Sequence, residues 1–197
     1  MVKVPAIDNT LGFLVALSDG WKQEADNWIR WARTPGHDSY WRFHRDQFLE
    51  LLPRPGKLTV DVGCGEGRLP RDMIRLGHNV IGIDSTPALV EAARRADPAG
   101  DYRCASATEL PLPDATCDLI VAFMSLHDID DLAAAVAEIS RVLVDGGIVA
   151  IAIVHPLNSA APWKLLASRS MLSVSQRCRM KRSIPTPRDA GSPCSCI

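Results

Sequence analysis

The sequence predicts an α/β domain built on a doubly wound, mostly parallel sheet. Over residues 57–155, short and continuously apolar segments alternate with segments whose apolar residues recur at helical spacing. Strands that are apolar along their whole length are typical of parallel sheets, because helices cover both faces of such a sheet. Since crossovers between parallel strands are right-handed, the helices fall on both sides and the sheet becomes doubly wound.

Composition divides the chain into three regions. Residues 1–56 place tryptophans and other apolar residues at helical spacing, which predicts an N-terminal helical cap. Residues 57–155 carry the alternation of strands and helices. Residues 156–197 contain seven Lys or Arg residues and one Asp, together with eight Ser and five Pro residues. We expect this basic segment to be an irregular, disordered tail.

Five strands and three helices are predicted in the central region. The strands are short apolar runs at residues 57–62, 79–83, 101–105, 118–124 and 148–154. The helices between them cover residues 69–76, 87–96 and 130–143. Pro87 favours the second helix because proline is well tolerated in a helix's first turn. Gly146 and Gly147 predict a turn into the fifth strand.

The overall charge and the cysteines argue against several classes of function. With 22 basic and 23 acidic residues, the chain has no net charge that favours nucleic acid or an anionic membrane as partner. No apolar run reaches the ~18 residues of a membrane-spanning helix, so stable membrane insertion is not expected. The six cysteines are scattered without Cys-x-x-Cys spacing, which predicts neither a zinc site nor a disulfide framework. We therefore expect a cytoplasmic location and no bound metal.

A glycine-rich turn, Asp61–Gly67, carries the strongest functional signal. Glycine permits positive φ angles and lets a backbone approach a ligand closely. The turn follows a strand and precedes a helix, and Asp84 ends the next strand, where its carboxylate can accept hydrogen bonds from both hydroxyls of a ribose. The spacing is not that of the dinucleotide fingerprint, because Arg68 occupies the place of its third glycine. The turn and the acid together predict a nucleoside site.

Four ordered segments resemble the class I S-adenosylmethionine (SAM)-dependent methyltransferases, and among these the type 11 methyltransferase domain. They are Asp61–Arg68, Val80–Asp84, Leu110–Asp118 and Arg141–Gly147. This group is similar to the ubiquinone and menaquinone C-methyltransferases. The resemblance covers about half of the chain. It implies a Rossmann-like fold, SAM as the methyl donor, and transfer of the methyl group to a small-molecule acceptor.

The resemblance also implies which residues contact SAM. The methionine part would lie along the glycine turn, the ribose on the acid of the second segment, and the adenine beside the third strand. The implied contacts are Asp61, Gly63, Cys64, Gly65, Gly67, Asp84, Ser85, Ser106 and Ala107. The family commonly has Asp where this chain has Ser106, so the adenine contact would be weaker by ~1 kcal/mol.

Few catalytic groups are required for methyl transfer. The sulfonium is already an activated leaving group, so proximity and alignment dominate, and a base is needed only when the acceptor must lose a proton. His127, after the fourth strand, and His155, at the end of the fifth, are the candidates for this base. The alternative is that both are ordinary loop histidines without a catalytic role.

Arg68, at a helix start, is expected on the surface. An acceptor pocket or a simple helix contact is predicted for Tyr40, His44, Trp21, Trp28, Trp31 and Trp41.

The end of the chain departs from the family pattern. The family continues beyond the fifth strand into a further helix and an antiparallel pair of strands, and residues 156–197 show no such pattern. We therefore expect a truncated C-terminal end. Two alternatives remain open: a SAM-binding protein with impaired catalysis, and an NAD-type oxidoreductase, which the position of Arg68 disfavours.

Overall fold

The computed structural model describes residues 16–37, 39–154 and 177–179 of the chain. The described strands are β1 (Thr59–Val62), β2 (Val80–Asp84), β3 (Asp101–Cys104), β4 (Cys117–Phe123), β5 (Leu143–Ala152) and β6 (Arg177–Arg179). The described α-helices are α1 (Leu17–Arg33), α2 (Arg45–Leu51), α3 (Arg68–Arg75), α4 (Pro87–Ala96) and α5 (Leu132–Val142). A π-helical turn (Tyr40–His44) precedes α2, and a short 3-10 turn (Leu126–Asp128) follows β4.

One sheet holds all six strands in the order β3-β2-β1-β4-β5-β6. Strands β1 to β5 are parallel, which confirms the predicted doubly wound architecture. From β1 the chain builds outward to β2 and β3, and then crosses to β4 on the other side. In such sheets, ligands bind outside the carboxyl ends of the strands where the order reverses. The fold therefore places the ends of β1, β2 and β4 around one crevice.

Strand β5 begins earlier than the sequence predicts. Cys117 pairs with Leu143 and Leu119 pairs with Ile148, so the residues between Leu143 and Ile148 bulge out of the ladder. Gly146 adopts a φ of 76° within this bulge. The two glycines thus form an irregularity inside one strand instead of a turn before it, because pairing with β4 resumes on both sides.

Strand β6 lies in the segment for which no regular structure was expected. Its backbone pairs antiparallel with β5, and Ile148 lies opposite Arg179. The prediction of an irregular tail is therefore wrong at these three residues. The rest of that segment lies outside the described residues.

The second predicted N-terminal helix does not begin as a regular α-helix. Its first turn, Tyr40–His44, is π-helical and therefore contains more residues than an α-helical turn. Trp41 precedes Phe48 by seven residues, so an unbroken α-helix would place both side chains on the same buried face. The wider π-helical turn instead brings Tyr40 to that face. Tyr40 and Phe48 are 1% and 2% exposed, whereas Trp41 is 52% exposed. The predicted role of Trp41 as a pocket or core residue is therefore wrong.

Both faces of the sheet are covered by apolar side chains. Val60 and Ile120 belong to a cluster that includes residues of α5, whereas Val121 belongs to a second cluster with Phe48 and Met73. Ile120 and Val121 are adjacent, and their side chains point to opposite faces as the alternation along a strand requires. No helix in the described ranges combines the length and apolar character needed to cross a membrane.

Candidate functional site

A cavity of about 560 Å³ lies at the carboxyl ends of β1, β2 and β4. Eight of the nine residues predicted to contact the cofactor line it, namely Asp61, Gly63, Cys64, Gly65, Asp84, Ser85, Ser106 and Ala107. Gly67 is the exception. A Cβ atom there would lie 2.8 Å from Tyr102 Cε1 and 2.9 Å from Ala93 Cβ. Its missing side chain therefore makes room for protein packing below the turn and not for a ligand.

The glycine turn joins β1 to its neighbours on both sides. The amides of Gly63 and Cys64 both donate to the Ile83 carbonyl, at 2.8 and 3.0 Å. Gly63 has a φ of 79°, and a Cβ atom there would lie 2.3 Å from Ser125 Cβ. Gly65 has a φ of 57° but would meet nothing within 4 Å. Both need glycine for their backbone angle, and Gly63 needs it for space as well.

Asp84 faces the turn from the end of β2. Its Oδ2 accepts a hydrogen bond from the Gly65 amide at 2.9 Å, and its Oδ1 accepts one from the Thr86 amide at 2.8 Å. Burial raises the pKa of this carboxyl, and the two backbone amides oppose that rise. The Thr86 side chain also donates to this carboxylate, which keeps further acceptor capacity for a ligand hydroxyl because two oxygens offer about four lone-pair sites.

Asp61 is a second carboxylate on the same cavity wall, and it is 1% exposed. Its Oδ1 has no hydrogen-bond partner among the described residues. Burial, reinforced by the negative charge of Asp84, raises the pKa of Asp61 from 3.8 to about 8. A buried carboxyl in this state gains most from a ligand that brings a positive charge or a hydrogen-bond donor.

Ser106 and Ala107 line the cavity beyond the end of β3. The Ser106 hydroxyl lies 2.7 Å from the Thr108 hydroxyl and accepts a hydrogen bond from the Thr108 amide at 3.1 Å. Part of its bonding capacity is therefore taken up within its own turn. This side chain offers a ligand less than an aspartate would at the same place.

The opposite end of the cavity is formed by the residues after β4. Ser125 donates from its hydroxyl to the Val62 carbonyl at 2.6 Å. Met124 has a φ of 57°, an angle that few residues other than glycine adopt. His127 lines the cavity from the following turn, and its Nε2 lies 3.7 Å from Asp128 Oδ2. His127 is thus placed where a base could act. His155, the other candidate, lies outside the described residues.

An aromatic wall closes the cavity on the N-terminal side. Its lining residues are Trp21, Trp28, Trp31, Tyr40 and His44. Helix α1 is held over the cavity at both ends: Asp130 accepts from the amides of Leu17 and Ser18, and Arg33 donates to Glu66 in the glycine turn. Burial lowers the pKa of His44. Of the two alternatives left open for these side chains, a pocket or a simple helix contact, the structure places them at the pocket.

Arg68 is not on the surface as expected, because it lines the cavity. Its Cζ lies 4.6 Å from the ring centre of Tyr40 and 5.4 Å from that of Trp28. Burial, together with the charge of Arg71, lowers the pKa of Arg68 to about 10. The sequence carries no local signal for this position, since both rings reach Arg68 from distant parts of the chain.

Within the described residues, no cluster of three or more His, Cys, Asp or Glu side chains suits a metal ion.

The central part of the chain is similar to known proteins. Residues 60–151 match the model of a family described as a methyltransferase domain. The matched region runs from β1 to β5, so it contains the glycine turn, Asp84 and the end of β4.

Individual relatives agree with this match. A "Probable S-adenosylmethionine-dependent methyltransferase" of Mycolicibacterium smegmatis is 36% identical over 113 residues, which are 56% of this chain and 44% of that protein. A malonyl-acyl-carrier-protein O-methyltransferase of Serratia marcescens is 34% identical over 95 residues, which are 48% of this chain and 37% of that protein. The chain therefore spans less than half the length of these two relatives.

A solved structure agrees as well. The SAM-dependent methyltransferase of Mesorhizobium loti matches with a TM-score of 0.53 and 29% identity, over 57% of this chain and 54% of that one.

Proposed function

We propose that this chain binds SAM in the cavity and transfers its methyl group to a small-molecule acceptor, because residues 60–151 match a methyltransferase-domain model and a similar protein is named as SAM-dependent. The observation that carries the proposal is a pair of carboxylates beside the glycine turn, the buried Asp61 and the part-buried Asp84.

The two carboxyl groups suit the positively charged groups of SAM. Asp61 and Asp84 sit close enough for the charge of one to raise the pKa of the other. SAM brings a sulfonium and an ammonium group, both of which are attracted to carboxylates. Because the pKa of Asp61 is raised to about 8, a positive group of the ligand would favour the ionised form of this carboxyl. The oxidoreductase alternative is disfavoured by the spacing of the turn.

Each part of SAM has a complementary region of the cavity. Asp84 can accept from a ribose hydroxyl while it remains bonded to the Gly65 and Thr86 amides, and from the second hydroxyl if this replaces the Thr86 side chain. The Asp61 oxygen without a partner suits the ammonium of the methionine part. The adenine would lie beside Ser106 and Ala107, where the contact is largely apolar.

The acceptor would approach from the end of β4 and the aromatic wall. Phe123 and Met124 line the cavity there, facing the tryptophans of α1. This surface suits an apolar or aromatic molecule. His127 is the residue that can remove a proton from an acceptor hydroxyl or amine. Alignment of the acceptor with the methyl group would supply most of the rate enhancement.

Calorimetric titration tests the binding half of the proposal. We expect SAM and S-adenosylhomocysteine to bind and NAD not to bind. Asp84→Asn should weaken S-adenosylhomocysteine by about 10- to 100-fold, the range for a lost charge-assisted hydrogen bond. Asp101→Asn, at the exposed start of β3, serves as the matched control and should leave the affinity unchanged. Binding of NAD alone, or full affinity in Asp84→Asn, would contradict the proposal.

A second candidate is a protein that binds SAM without transferring its methyl group. The ground for it is the sequence pattern of residues 156–197, which departs from the further helix and antiparallel strand pair of the family on the acceptor side. Release of S-adenosylhomocysteine in the presence of a panel of phenols, amines and carboxylic acids separates the two candidates. Release that depends on one acceptor and falls in His127→Ala supports catalysis. Tight SAM binding with no release from any acceptor supports the second candidate.

A further inference from the structure

A histidine of the aromatic wall has unused hydrogen-bonding capacity. His44 lines the cavity, as do Tyr40 and Trp28. Its Nδ1 is buried and has no hydrogen-bond partner among the described residues. Buried polar atoms are nearly always hydrogen-bonded in folded proteins, so an atom of this kind on a cavity wall points to a role for its side chain in that cavity.

The backbone that carries His44 is fixed by contacts on both sides of the residue. His44 ends the π-helical turn that begins at Tyr40. The Tyr40 hydroxyl donates to Asp72 Oδ2 at 2.9 Å, and Arg45 Nε donates to the same oxygen at 2.8 Å. Because Asp72 is a buried residue of α3, the turn is anchored to the sheet-covering helix before any ligand arrives.

The surroundings of the imidazole determine where its proton lies. Burial lowers the pKa of His44 from 6.5, so the ring is neutral at neutral pH and carries one proton. A proton on Nδ1 would be a buried donor without an acceptor, which folded proteins rarely contain. A proton on Nε2, at the other edge of the ring, can be donated into the cavity. The Nε2–H form is therefore favoured.

The charges after β4 restrict what this donor can meet. Asp128, Asp130 and Asp131 line the cavity there. Hydrogen bonds from backbone amides lower the pKa of Asp130, so this carboxylate stays ionised and disfavours an anionic acceptor. An ammonium group is a donor like Nε2–H and cannot pair with it. A neutral oxygen atom satisfies both conditions.

We infer that His44 is a specificity-determining residue of this cavity, and that its Nε2–H donates to a neutral oxygen of the methyl acceptor, such as a phenolic hydroxyl. This inference rests on the proposed function. The aromatic wall suits the flat body of such a molecule, and the hydrogen bond from His44 fixes its rotation within the cavity. His44 thus binds and orients the acceptor, whereas His127 is the candidate base.

Phenol and toluene test the inference on the protein saturated with S-adenosylhomocysteine, because they have nearly the same shape and only phenol accepts a hydrogen bond. We expect His44→Phe to lower the affinity for phenol relative to toluene by about 3- to 10-fold, the effect of one neutral hydrogen bond. His44→Gln, whose amide also carries N–H donors, should restore the preference. His37→Phe, at an exposed histidine outside the cavity lining, is the matched control and should change neither affinity.

Nitrogen-15 chemical shifts of the histidine rings report the tautomer directly. We expect the Nε2–H form of His44 at pH 7.5, with a larger change of its Nε2 signal on addition of phenol than of toluene. The spectrum of His44→Gln assigns the signals to this residue, and thermal unfolding of each variant accompanies the titrations.

Four results overturn the inference. The first is an unchanged ratio of phenol to toluene affinity in His44→Phe, or no binding of either molecule. The second is an equal loss in His44→Phe and His44→Gln, since side-chain shape and not the donor would then be responsible. The third is the Nδ1–H form of His44. The fourth is tighter binding of benzoate or benzylamine than of phenol, since the acceptor would then be charged.

Failure of the unaltered protein to bind S-adenosylhomocysteine would instead contradict the proposed function itself. That titration precedes the others and does not involve phenol or toluene, so the two failures are distinguishable.

Discussion

The hydroxyl of Ser125 donates a 2.6 Å hydrogen bond to the carbonyl of Val62, and this bond ties the end of β4 to the end of β1. The two strands are neighbours at the point where the strand order of the sheet reverses. The bond also holds the Ser125 side chain against Gly63, where no other residue type fits. The floor of the cavity therefore depends on the Ser125 side chain after β4 and on the lack of a side chain at Gly63 after β1.

Gly63→Ala should destabilise the protein by about 2–4 kcal/mol, from a strained backbone angle and an overpacked contact together. The new Cβ would lie 2.3 Å from Ser125 Cβ. Gly65→Ala is the matched control, because Gly65 also has a positive φ, of 57°, but open space around it, and this variant should lose only about 1 kcal/mol. Urea unfolding monitored by circular dichroism gives both values. Equal losses in the two variants would show that crowding by Ser125 is unimportant.

Asp61→Asn should stabilise the unliganded protein at neutral pH. The folded-state pKa of Asp61 is raised to about 8, so ionisation of this carboxyl opposes folding as the pH rises above 3.8. A carboxyl with a raised folded-state pKa contributes its full stabilisation to the folded protein only below its unfolded-state pKa. That contribution is lost as the pH rises toward the folded-state pKa. The advantage of the variant should therefore grow by about 1 kcal/mol for each pH unit between pH 5 and pH 7.5. Chemical unfolding across this range checks it, and an advantage that does not vary with pH would contradict it.

The affinity for S-adenosylhomocysteine should rise with pH up to about 8. The ligand's ammonium favours the ionised form of Asp61, so binding releases the proton that the free protein holds. Below its pKa, each pH unit should weaken binding by up to about tenfold. Titrations between pH 6 and pH 8 measure the slope, and Asp61→Asn should flatten it. A slope of the same size in that variant would mean that the ammonium does not meet Asp61.

Glu66→Gln should loosen α1 from the glycine turn. Glu66 is 3% exposed and accepts hydrogen bonds from Arg33 and Arg71, so its neutralisation leaves two cations facing each other. We expect a loss of about 2 kcal/mol, less than for a wholly buried pair because Arg33 is partly exposed. Hydrogen exchange should show faster opening of α1.

The matched control for Glu66→Gln is Asp19→Asn. It removes a solvent-exposed pair with Lys22 on the same helix and should change stability by less than about 0.5 kcal/mol. If α1 exchanges as slowly in Glu66→Gln as in this control, the helix is held by its aromatic contacts and not by the ion pair.

Local patterns predicted the regular elements well. The apolar strands could be located because a strand that is buried on both faces has no polar positions. Helix α4 begins at Pro87 and ends at Ala96 as predicted, since proline in the first turn marks a helix start. The bulge in β5 was missed because its pairing depends on β4, a neighbour outside the local sequence. Strand β6 was missed for the same reason, because it pairs only with β5.

The site likewise has features that follow from the local sequence and others that depend on tertiary contacts. The residue types from Asp61 to Gly67, followed by Asp84, were sufficient to predict a glycine turn at the end of β1 and an acid at the end of β2. The sequence did not determine that Gly67 serves packing against Tyr102, or that Tyr40 and not Trp41 faces the sheet. It also did not determine that Arg68 enters the cavity. These outcomes depend on which distant side chains arrive at a given point, and only the packing of α1 and the π-helical turn against the sheet decides that.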